Sequence, residues 1–210
     1  MFAEKYDAAG MEASAHRGGA PGGAFAGFLP WIIFWVVASP STWKWAALAA
    51  LIAAVVVAIP SAEGAGGVKI LDLGTIAFFG VVTVLAIFVD RSDLDWLEKY
   101  AQVISSGALA LIALGSLAFT PFTEQYARDG TPRELWDTTG FKVINRQLTL
   151  MWAVVFALTA VSGLIAVQSD SGKDFFNWIL PLILIFGAFK LQTWWIAQSQ
   201  ARRRPARRPG

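Results

Sequence analysis

Six apolar blocks, set apart by short polar connections, make this 210-residue chain read as an all-α, polytopic transmembrane helical bundle of about six spans. Composition points the same way. Charged residues are 15% of the sequence, whereas a soluble domain carries about a quarter. Mean hydropathy is +0.53, with ten Trp, and most of the blocks approach the roughly 20 residues needed to cross about 30 Å of hydrocarbon.

The first block, residues 24–39 (AFAGFLPWIIFWVVAS), carries Gly27 and Pro30 in its first half. It is expected to cross as a kinked helix, since a membrane helix tolerates proline when the freed carbonyl finds another donor. The alternative is five spans plus a re-entrant segment. Block two covers 43–59 and is almost wholly apolar; block three covers 70–89 and opens with Asp72. Blocks four to six cover 101–120, 148–167 and 175–197, each long enough to span. Trp43, Trp45, Trp96, Trp194 and Trp195 stand at block ends, as interfacial aromatics do.

Three regions follow. Residues 1–23 are polar and Gly/Ala-rich, lack the apolar stretch of a secretory signal, and are expected to form a disordered cytoplasmic tail. Residues 24–197 form the transmembrane domain, with a polar loop at 121–147. Residues 198–210 form a basic cytoplasmic tail. With six spans, one side collects twelve Lys and Arg and the other four, with Lys190 inside the last block. The positive-inside rule then makes both termini and the 121–147 loop cytoplasmic.

The inventory excludes much chemistry. There is no cysteine, and the single histidine, His16, falls in the first tail. Disulfides, thiol nucleophiles, Cys-ligated clusters and bis-histidine haem within one chain are ruled out. No cofactor, metal site or catalytic set is expected, so an enzyme is the weaker reading.

Asp72 is the acid that most needs explaining, because a carboxylate below the headgroups must be paired, neutral or wetted. Asn145 and Arg146 stand just before the fifth block on the same side, so a structural pairing of Asp72 with Arg146 and Asn145 is expected at the cytoplasmic rim. Within the loop, Thr131-Pro132-Arg133-Glu134 fits a capping box with proline at the first helical position. Glu124 and Arg128 stand four apart in the favourable helical order. Glu124, Tyr126, Arg128 and Trp136 together suggest a membrane-surface elbow on which a partner docks. Arg202, Arg203, Arg204, Arg207 and Arg208 would hold anionic lipid headgroups.

The segments FLPWIIFWVV, DLDWLEKY and ELWDTTGFKVINRQLTLMWAVVFAL resemble the bacterial intracellular septation protein A family. The matching positions are Phe28, Leu29 and Pro30, then Trp136, Asn145, Trp152 and Phe156, within a likeness spanning most of 25–197. PFTEQYAR and the basic tail depart from that pattern. The resemblance implies an inner-membrane protein of the cell envelope, tied to septation, with a structural or partner-binding role. Its partners would be anionic bilayer lipid and envelope proteins or a second copy of the chain; no nucleic acid is expected. The alternative is a small transporter or channel with a polar site near Asp72 and Arg146.

Overall fold

The computed structural model describes residues 22–38, 42–88, 96, 97, 99–169 and 172–201, which are helical apart from short turns and irregular connections. The N-terminal tail up to residue 21 with His16, and the tail arginines Arg202, Arg203, Arg204, Arg207 and Arg208, lie outside the described residues. The elements are α1 (Gly22–Val37), α2 (Trp43–Glu63), α3 (Ile70–Phe88), α4 (Ala101–Ser116), α5 (Phe122–Ala127), α6 (Thr139–Gln168) and α7 (Leu180–Ala201). Short 3-10 turns occupy Arg128–Gly130 and Arg133–Leu135, and a π-helical turn at Phe175–Ile179 leads into α7.

Four stretches are long and apolar enough to cross a membrane: Trp43–Glu63, Ile70–Phe88, Thr139–Gln168 and Phe175–Gln198. The chain therefore reads as a multi-pass membrane protein. The expectation of six such helices is corrected to four. Ala26–Val37 and Ala101–Ser116 are apolar but shorter. α4 stops where Ser116 turns its hydroxyl on the chain itself: it donates to the Ala113 carbonyl at 2.7 Å and accepts the Phe122 N–H at 3.0 Å. At its other end, the Tyr100 N–H bonds to the Trp96 carbonyl at 3.1 Å, so helical pairing begins ahead of Ala101.

Successive long helices reverse direction, which gives the bundle two ends. At one end, here the loop end, Gly27 of α1 approaches Tyr126 and Leu71. Phe34 and Trp43 meet at the other end, where Trp35 donates its indole N–H to Ser105 at 2.9 Å. Between the ends lies an aromatic core. Phe28 contacts Trp152 and Phe156 with ring centroids 5.8 and 5.6 Å apart, and Trp31 packs on Phe79 at 4.9 Å. Two indole donors in this core find partners, Trp31 on Thr75 at 3.0 Å and Trp152 on Gln192 at 2.7 Å, as buried indoles usually do, whereas the buried Trp43 N–H has none among the described residues.

α6 differs most from expectation. Its 30 residues span about 45 Å at 1.5 Å per residue, so residues 141–147, expected in the polar loop, belong to the helix's first turns. Phe141, Asn145, Thr149, Trp152, Phe156, Thr159, Gly163 and Ala166 are all buried. They recur at steps of three and four, a continuous inward stripe. Asn145 stays in register because its amide donates to the Phe141 carbonyl at 2.8 Å. The stripe runs straight through the polar residues.

Candidate functional site

Two connections meet at the loop end. One joins α2 to α3 through residues 64–69; the other joins α4 to α6 through 117–138. Glycine lets their backbones touch: a Cβ on Gly66 would stand 2.1 Å from the Gln125 carbonyl oxygen, and one on Gly64 would stand 2.5 Å from Asp129. The Gly66 N–H donates to Asp129 Oδ1 at 2.8 Å. Gln125 closes the contact from the other side. Its Oε1 accepts the Ile70 N–H at 2.7 Å, satisfying an orphan donor at the start of α3, while its amide donates to the Thr120 carbonyl at 2.6 Å.

Inside this seam lies Lys69, only 1% exposed. Its Nζ stands 3.0 Å from Asp129 Oδ2, donates also to the Ser61 carbonyl, and sits 5.1 Å from the centroid of the Tyr126 ring. One turn into α3, Asp72 is buried as well. Its Oδ1 accepts the Tyr126 hydroxyl at 2.7 Å and its Oδ2 accepts the Ser61 hydroxyl. A carboxylate in the first helical turn also faces the positive end of the helix dipole. Burial, then the Asp72 charge and the hydrogen bond to it, push the Tyr126 phenol well above its ordinary range. Ser61, Lys69, Asp72, Tyr126 and Asp129 thus form one connected polar cluster.

The structure therefore separates residues that the sequence reading had joined. Asp72 does not pair with Arg146. Arg146 is exposed and its Nη1 lies 3.4 Å from the Leu117 carbonyl, while the two oxygens of Asp72 accept from Ser61 and Tyr126. Asn145 serves α6 and, through its carbonyl, the Thr123 hydroxyl at 2.7 Å. The docking elbow is likewise turned inward. Glu124 and Tyr126 are buried, and Glu124 Oε1 takes Arg128 Nη2 at 2.7 Å. Trp136 is half-buried, with the guanidinium groups of Arg128 and Arg133 at 5.0 and 5.6 Å from its ring. The expected capping box does not form: Arg133–Leu135 is a 3-10 turn with no side-chain cap, and the Trp136 indole bonds the Thr131 carbonyl at 2.8 Å.

The opposite end is open. A cavity of about 770 Å³ lies between α1, α4, α6 and the start of α7, with Phe34, Trp35 and Trp178 on its apolar wall. Gln102, Thr159, Asn177, Lys99 and Lys173 supply the polar one. Trp35 and Ile185 also border a second, smaller void of about 50 Å³ deeper in the bundle, where Phe28, Trp152 and Phe156 close the way. From one end to the other the order is open cavity, aromatic plug, sealed polar cluster.

Sequence reasoning singled out Asp72, Tyr126 and Arg128 but missed Lys69 and Asp129 as partners, and missed Lys99, Lys173 and Gln102 altogether. The glycine-rich GAGG at 64–67 was the available signal, since such a run marks close backbone approach. Among the described residues, no group of three His, Cys, Asp or Glu could hold a metal ion. Comparison of the chain with protein-family models, with curated proteins and with solved structures finds no match in any of the three.

Proposed function

We propose that this chain is a small transporter of the bacterial inner membrane, open at the cavity end and sealed at the loop end by the Lys69–Asp129 and Asp72–Tyr126 contacts. The loop end is the cytoplasmic one in this reading, and all six apolar segments cross. The observation that carries it is the asymmetry between the ends. A purely structural bundle has no need of a wide, partly polar cavity at one end and an ion pair on a buried lysine at the other. Burying Lys69 and Asp129 brings little net stability, because desolvation offsets most of the attraction. A contact of that kind suits a gate, since water entering the seam supplies the solvation that the pair gives up. Arg146 has no part in it.

The native chain lacks cysteine, which makes the test direct. Ile32 borders the deeper void, so Ile32→Cys reports access from either side. In membrane vesicles, an impermeant thiol reagent supplied at the loop end should leave it unlabelled in the parent. Adding Asp129→Asn should raise that rate tenfold or more. An unchanged rate with intact folding sinks the gate.

A structural, septation-linked role keeps one point of support. Arg133, Glu134 and Leu135 are exposed beside Trp136 at the loop end and offer a small docking surface. Replacing Glu134 and Trp136 should then change the partner crosslinks seen in cells; unchanged crosslinks count against it.

A further inference from the structure

We infer that the open cavity binds an amphipathic organic anion, its charged head between Lys99 and Lys173 and its apolar tail against Trp35. For its place in a transport path this rests on the reading above; as a binding site it stands alone.

The size is right for a small ligand: about 770 Å³ falls within the roughly 300–1,000 Å³ of small-molecule sites. Its chemistry is divided in two. Phe34, Trp35, Trp178, Leu182 and Ile185 make an apolar wall. The deeper void, which shares Trp35 and Ile185 with it, carries that wall toward the aromatic plug.

The polar side is rich in donors. Lys99 and Lys173 line the cavity and make no ion pair with any described residue. Gln102 and Asn177, each with an amide donor, line it too. Thr159 has spent its proton on the Val155 carbonyl at 2.9 Å, and the Trp35 indole is spent on Ser105. No described carboxylate lines the cavity. Two ammonium groups and two amides around an apolar slot complement a carboxylate or phosphate with a hydrocarbon or aromatic tail. Glu98 and Asp170, close in sequence to the two lysines, lie outside the described residues; the cationic probe below reports on whether they neutralise the site.

Such an anion reaches the cavity either from water or sideways from the bilayer leaflet. The test uses purified full-length protein in a neutral detergent, with tryptophan fluorescence as readout, titrated with octanoate, octylammonium and octanol. Octanoate should quench saturably, and the other two should not. Lys99→Gln or Lys173→Gln should each weaken octanoate about fivefold, as loss of about 1 kcal/mol of charge attraction implies, with unchanged circular dichroism. In nanodiscs, competition by an anionic phospholipid assigns the ligand to the bilayer, and octanoate binding without such competition assigns it to water. Octylammonium binding as tightly as octanoate, or a double lysine variant that binds normally, overturns the inference. Octanoate that binds yet is not carried into proteoliposomes leaves the site standing and removes the transporter reading. Carriage of another solute without octanoate binding does the reverse.

Discussion

Tyr126 is the residue on which the loop-end cluster turns. Its side chain touches both charged members of α3's start, donating to Asp72 and lying under Lys69. Its phenol is held protonated above the ordinary value of 10.0, first by burial and then by Asp72. Between the unfolded and folded values the folded chain carries more protons, so stability falls as pH rises. The contribution is whole below about pH 10 and declines above it, by at most about 1.4 kcal/mol per pH unit. Thermal unfolding in detergent, followed from pH 8 to 11, should therefore show a downward slope that Tyr126→Phe lessens. The same variant should be less stable at neutral pH by about 1–3 kcal/mol, because Asp72 loses a donor it cannot replace from water. An identical alkaline slope in both proteins would show that the proton on Tyr126 does not matter to folding.

At the scale of elements, the seam between the 64–69 turn and the 121–130 segment is held by one ion pair with unequal burial. Lys69 is 1% exposed and Asp129 28%. Asp129→Asn strands the buried ammonium and should cost about 3 kcal/mol, the lower end for a broken buried pair because Asp129 is partly wetted. Lys69→Met combined with Asp129→Leu should recover most of that loss, since two apolar groups need no solvation. A double-mutant cycle by denaturant unfolding measures the coupling directly. Additive losses would mean that the two charges do not speak to each other. α6 carries a different lesson. Its inward stripe from Phe141 to Ala166 was already written at steps of three and four residues, but Asn145, Arg146 and Gln147 masked it for a reading that sought unbroken apolar length.

Over the whole molecule, the alternation of ends gives a topology that thiol labelling can check. Glu134→Cys and Asp174→Cys place reporters at exposed positions on opposite ends. An impermeant reagent on intact cells should label residue 174 and spare 134; labelling of both or neither contradicts the orientation. The helical class and the position of the long apolar helices were legible in the sequence because hydrocarbon demands length, and length is visible. The cluster was not. Lys69 and Asp129 stand 60 residues apart, in loops with no periodicity to align them. Asp72 sat among apolar neighbours and drew notice, yet its partner was sought in the nearest charge on the same side, when a neutral serine and a phenol had filled both its oxygens. The cavity was invisible for the same reason: its lysines come from two connections and its apolar wall from α1, the π-helical turn and α7.

The π-helical turn at Phe175–Ile179 acts as a spacer. A turn of this type is wider than the α-helix it joins and is frequent at functional sites. Here its width is accommodated as Ser162 donates to the Phe176 carbonyl at 2.6 Å. With one residue fewer in that turn, everything before it would be rotated by about 100°, with Lys173 facing elsewhere. The direction in which the mouth of the cavity opens is thus set by the register of a single turn.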